Sequence, residues 1–122
     1  MNRSVLGSPM VLALAILAGC ASAPPPTEQM AVGRKAVERA AGTPDVVQLA
    51  PTELERARMK LADAERAMVN RDYDQARRSV DEAEADARLA EARAGARKND
   101  RALAEVNQAI RGMREELARR PG

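Results

Sequence analysis

The chain has 122 residues and is 45% hydrophobic, but 26 residues are alanine, and it carries one Tyr, no Phe, no Trp, no His and a single Cys. Its 20 Lys+Arg and 18 Asp+Glu leave a net charge of only +2. A core built from alanine is thin and encloses no sizeable pocket, a chain without an aromatic platform does not stack bases, and one without His lacks the commonest general base and a usual zinc ligand.

The start, Met1-Asn2-Arg3, is followed by an apolar run from Met10 to Ala18 and the small residues Gly19, Cys20 and Ala21, the layout of a secretory signal peptide. The run falls well short of the roughly 20 apolar residues of a transmembrane helix. Ala21-Ser22-Ala23 would serve as an ordinary cleavage site. Leu17-Ala18-Gly19-Cys20, however, resembles the lipobox of bacterial lipoproteins, in which the cysteine becomes the first mature residue and is acylated on its sulfur and amino nitrogen. Its position directly after the apolar run favours this reading. Residues 1–19 are thus the expected lipoprotein signal peptide and Cys20 the expected lipid attachment site. At ~0.8 kcal/mol per buried methylene, two or more chains hold a protein to a membrane almost permanently. By the same resemblance, Ala21 matches lipoproteins sent to the outer membrane of Gram-negative envelopes, so the expected place is the periplasmic face of that membrane. Cleavage leaves 103 residues with a net charge of +1, one domain at most.

Residues 20–27 form the lipidated N-terminus and linker, in which Pro24-Pro25-Pro26 reads as a stiff polyproline II spacer. A helical domain follows over residues 28–120. Thr27 is the expected cap of a first helix from about Glu28 to Ala41, with Met30, Gly33, Val37 and Ala40 on one face and Gly42 as its stop. Thr43-Pro44-Asp45 breaks the chain, and Val46, Val47 and Leu49 are expected to pack a covered loop onto the helices. Thr52 and Glu55 then read as a capping box ahead of a stripe at Leu54, Ala57, Leu61, Ala64 and Met68. This second long helix stops near Asn70. Asp72 and Gln75 make another capping box, and so short a turn sets the flanking helices antiparallel.

No proline interrupts the chain between Pro51 and Pro121, so the last helix is expected from Tyr73 to about Ala118, on the order of 70 Å. One stripe, Ala76, Val80, Ala83, Ala87, Ala90 and Ala94, suits close packing on the preceding helix. A second runs from Ala85 through Leu89, Ala92, Ala96 and Asn99 to Leu103, Val106, Ile110, Met113 and Leu117, also alternating 4 and 3, on nearly the opposite face. The first helix is expected to cover part of this second face. A break at "GARKND", with Asn99 or Asp100 capping a helix that folds back, is the alternative. The unbroken phase favours the continuous helix, since one Gly costs only ~1 kcal/mol. Its exposed distal seam, Leu103, Val106, Ile110, Met113 and Leu117, is the candidate interaction face.

The acidic run Asp81, Glu82, Glu84 and Asp86 reads as a salt-bridged surface, with Glu84 placed to pair Arg88, rather than a cation site. Tyr73 is expected to wedge the two helices apart. Arg111, Arg114, Arg119 and Arg120 suit an anionic partner, but Glu115 and Glu116 interrupt them and a helix C-terminus favours cations by its dipole alone. No catalytic residue, metal, cofactor, nucleic acid or small-molecule substrate is expected.

With "APTELERARMKLADAERAMVNRDYDQARR" and "EAEADARLAEARA" in view, the chain resembles the family of small bacterial envelope proteins known as domain of unknown function 4398. The resemblance rests on Pro51 before an acidic, Leu-containing helix start, on Asp72-Tyr73 with Ala76 at the turn, and on the Ala-spaced long helix. It covers roughly Ala36 to Ala94, supports the envelope location and the helical fold, and implies no known activity; with the spacing of the last helix, the expected fold is all-α, an antiparallel helical hairpin with a short N-terminal helix and a long, partly protruding C-terminal helix. The leading expectation is a membrane-anchored, non-catalytic interaction or structural module that pairs through its C-terminal helix with itself or another envelope protein. A regulatory partner of a periplasmic cell-wall enzyme is the alternative.

Overall fold

The computed structural model describes residues 23–120, which form four helices and, among these residues, no strand. Helix α1 spans Thr27–Ala41, α2 Pro44–Leu49, α3 Pro51–Val69 and α4 Tyr73–Arg119. The signal segment and Cys20 lie outside the described residues.

Proline, rather than threonine, begins the first three helices. A proline ring presets φ for a helix start and needs no hydrogen bond for its missing N–H. Pro26 stands at the N-cap of α1, with φ −79° and ψ 56°, and its carbonyl accepts from Met30 N–H at 2.9 Å. Pro44 and Pro51 occupy the first positions of α2 and α3. Thr27 is therefore already helical and does not cap, and Thr52 and Glu55 form no capping box, because the N-cap of α3 falls on Ala50. The Pro24–Pro26 spacer is also corrected at its end. Pro26 is buried, its ψ departs from the ~145° of polyproline II, and Arg77 of α4 donates to the Pro24 carbonyl at 3.3 Å.

Where a covered loop was expected, residues 44–49 make a short helix. Thr43 turns its hydroxyl back to the Arg39 carbonyl, donating at 2.9 Å, and its own carbonyl accepts from Val46 and Val47 N–H. Val46 and Leu49, three residues apart and so on one face, are buried as anticipated, but the adjacent Val47 points outward. Gly42 does end α1, in a right-handed conformation at φ −80°.

The turn from α3 to α4 joins two caps. Asp72 N–H donates to the Ala67 carbonyl at 2.9 Å and Arg71 N–H to that of Met68 at 3.1 Å, a Schellman pair that needs the residue just after the C-cap left-handed. That residue is Arg71, at φ 59°. Asp72 then caps α4 by accepting from Gln75 N–H at 3.1 Å. The reciprocal half of the expected box is not made, because Gln75 gives its side-chain amide to Ser79 Oγ at 2.9 Å.

The core is one seam of small side chains. Ala76, Val80, Ala83, Ala87, Ala90 and Ala94 of α4 are all buried, as the spacing predicts. Ala83, Ala87, Ala90 and Ala94 pack with Leu54 and Ala57 of α3, Val80 packs with Ala64, and, contrary to expectation, the α1 face of Met30, Ala36, Val37 and Ala40 joins them as well. Helix α1 thus settles over the same stripe, in the valley between α3 and α4. Alanine makes that valley shallow, and Gly33 lets α1 sink to Val80. The opposite stripe of α4 is left without α1.

Ion pairs close both rims of the bundle. Arg34 meets Glu65 at 2.8 Å and Arg39 meets Glu91 at 2.8 Å, while Lys60 pairs Glu82 and Arg56 approaches Asp86 at 3.9 Å. Glu84 pairs Arg88 one turn on, as expected. Three of the four carboxylates of the acidic run, Glu82, Glu84 and Asp86, are therefore paired with neighbouring cations.

Candidate functional site

Helix α4 outruns everything packed against it. Its last buried residue is Ala94, and two basic side chains mark where the bundle ends. Arg97 donates to the Leu49 carbonyl at the α2 C-terminus, and Lys98 pairs with Asp45 at 2.7 Å. The Asp45 carboxylate holds the Lys98 ammonium above its ordinary pKa, and cations beside a helix C-terminus suit its dipole. From Asn99 to Arg119 the helix continues for roughly 31 Å.

On this free span lie the five residues of the predicted seam. Leu103 is 60% exposed, Val106 55%, Met113 60% and Leu117 71%, with Ile110 half-buried. Their alternating spacing puts them on one line along the helix. Gly95 and Gly112 interrupt nothing, and the helix passes through "GARKND" unbroken. The basic tip is partly neutralised within the helix, where Glu115 lies 4.0 Å from Arg119 and Glu116 3.8 Å from Arg120.

Other features offer no convergent chemistry. A shallow depression of about 720 Å³ is lined by Met59, Ala62, Asp63, Glu65, Arg66, Val69 and Asn70, from the outer face of α3 and its C-cap. Tyr73 is half-buried beside Ala23, Arg71, Asp72 and Asp74 at the end of the bundle. It belongs to neither core cluster and does not wedge the helices apart. Among the described residues no three acidic, His or Cys side chains converge on a metal position, and no helix is long and apolar enough to cross a membrane.

The feature that sequence reasoning missed is Glu53. It is only 2% exposed, with Oε1 accepting from Arg93 and Oε2 lacking a hydrogen-bond partner. Its own backbone N–H, then Arg93, hold its carboxyl below the usual range, while burial opposes them. Pro51 at the first helical position puts Glu53 at the third, where a carboxylate reaches free amides. That spacing was the available signal. Glu53 faces packed protein, so its effect is to fix the start of α3 on α4.

The chain matches the family described as Domain of unknown function (DUF4398) over residues 28–106. It is also similar to the crystal structure, at 2.47 Å resolution, of a DUF4398 family protein from Pseudomonas aeruginosa PAO1. The identity is 36% and the TM-score 0.63, over 78% of this chain and 97% of that one. A search of curated proteins finds no match. The family match includes Leu103 and Val106 and ends before Ile110, Met113 and Leu117.

Proposed function

The chain belongs to the DUF4398 family, and from that membership we propose that it is an outer-membrane lipoprotein, anchored through Cys20 on the periplasmic side, whose helical domain is a non-catalytic interaction module. The observation that carries this reading is the free span of α4, a helix of ordinary composition that exposes a regular line of large apolar side chains. Isolated exposed apolar residues are common on any protein; five in one helical phase are a surface that water covers poorly.

The N-terminal geometry supports the same reading. Ala23 lies beside Arg71, Asp72 and Asp74, three residues after Cys20 and at the N-terminal end of α4. Measured from Tyr73, Leu103 and Leu117 stand about 45 and 66 Å along the helix. An anchor at one end and an uncovered seam at the other make a tethered arm that presents its contact face well away from its attachment. The core is spent on holding this arm, and its small side chains suit rigid packing.

Fractionation tests the anchor. Cys20→Ala is expected to accumulate as unprocessed or soluble protein, whereas the unaltered chain stays with the outer membrane through a high-salt wash. A Cys20→Ala chain that survives the wash with the membrane would overturn the anchoring part of the proposal.

A further inference from the structure

Given the reading of the distal seam as an interface, its flanking charges identify what covers it. With Leu103 and Ile110 at a positions and Val106 and Met113 at d positions, Asp100, Asn107 and Arg114 fall at e, and Ala102, Ala109 and Glu116 at g. In a parallel pair each g residue meets an e residue of the partner. Ala102 then faces Asn107 and Ala109 faces Arg114, and no opposite charges come together.

An antiparallel pair matches e with e and g with g. In the register that stacks Leu103 on Met113 and Val106 on Ile110, Asp100 of each chain lies opposite Arg114 of the other, twice by symmetry. Asn107 meets its own copy, and the two Ala109 side chains meet on the other flank, where their small size lets the helices close. One register therefore stacks Leu103, Val106, Ile110 and Met113 on the same four residues of the other copy, with Leu117 opposite Asn99, and pairs Asp100 with Arg114.

The length of free helix agrees with that register. The bundle's last hold on α4 is Lys98 to Asp45, and the helix ends at Arg119, so the midpoint of the free span is near residue 109. The twofold axis of the register falls at residue 108. A partner packed this way brings its tip to the level of Arg97, where the bundle begins. We infer that the occupant of the seam is a second copy of this chain, packed antiparallel with Leu103 on Met113 and Asp100 on Arg114. The two α4 starts then lie about 105 Å apart, at opposite ends of one rod, so a pair anchored at both ends lies along the membrane.

The chain is purified as it accumulates in cells, in detergent if membrane-bound, and its mass is measured by sedimentation at several concentrations with bound detergent subtracted. The inference expects a dimer that Ile110→Asp converts to a monomer of unchanged helix content. Asp100→Arg and Arg114→Asp should each weaken the dimer about tenfold, and the two together should restore it. An unaltered chain that is monomeric, or a dimer indifferent to Ile110→Asp, overturns self-pairing. Loss of the dimer in Ile110→Asp without rescue by the double reversal overturns the antiparallel register. The mass is read whether or not the chain is membrane-bound. A monomer therefore counts against self-pairing alone, and a failed fractionation counts against the anchor alone.

Discussion

Gly33 and Gly95 are both helical glycines, and replacing each with alanine should move stability in opposite directions. In an open helix interior the change gains ~1 kcal/mol from backbone entropy and propensity. At Gly95, nothing lies within 4 Å of the added Cβ, so that gain should appear in full. At Gly33 the Cβ would stand 2.3 Å from Val80 Cγ2 and 3.3 Å from the Val80 carbonyl oxygen. Val80 is only 1% exposed, and a β-branched side chain has little freedom to swing aside. Helix α1 must lift from α4, and overpacking of this kind costs about 1–3 kcal/mol. The net for Gly33→Ala is then a loss of up to about 2 kcal/mol. Urea denaturation followed by far-ultraviolet circular dichroism reads both. Adding Val80→Ala to Gly33→Ala should cost less than Val80→Ala costs alone, because the two positions share one contact. If Gly33→Ala raises the midpoint as Gly95→Ala does, the close seating of α1 on α4 is wrong.

Arg71→Gly should stabilise the protein by about 1 kcal/mol, because a left-handed residue with a Cβ carries strain that glycine avoids; an unchanged or lower denaturation midpoint would contradict the Schellman turn. Glu53 predicts a pH dependence. Its carboxyl is held below its ordinary value of 4.5 in the fold, so its stabilising effect is complete above that value and is lost as pH falls through the lower folded one. Stability measured from neutral to strongly acid pH should therefore fall less steeply in Glu53→Gln than in the unaltered chain, and parallel profiles would remove Glu53 from the account. Arg93→Met, which leaves the buried carboxylate without its partner, should destabilise at neutral pH and lose much of that effect in acid.

Much of the architecture was legible because alanine spacing is a strong signal when little else can form a core. The stripe from Ala76 to Ala94 had one packing solution, and the phase of Leu103 to Leu117 carried through Gly95 without a skip, so one glycine could not end the helix. The helix starts were harder. Thr27 and Thr52 are good caps in isolation, but neighbouring Pro26 and Pro51 preset the backbone and took the boundary positions. Residues 44–49 looked like a loop because a single helical turn has too few positions to show a period. Glu53 was overlooked because its burial depends on Arg93, forty residues away in the chain. The seating of α1 turned on the absent side chain of Gly33, and periodicity gives no weight to an atom that is missing. The distal seam was legible as a face, and the fold shows that nothing in the bundle reaches it.

The central claim is that this seam is a contact surface in the cell. A photo-crosslinking amino acid placed at Val106, on the seam, is compared with one at Gln108, on the outer side of the same helix turn, in otherwise intact chains irradiated in living cells. The account predicts a discrete covalent adduct from Val106 and none from Gln108. Equal adducts from both positions, or none from either, would contradict it.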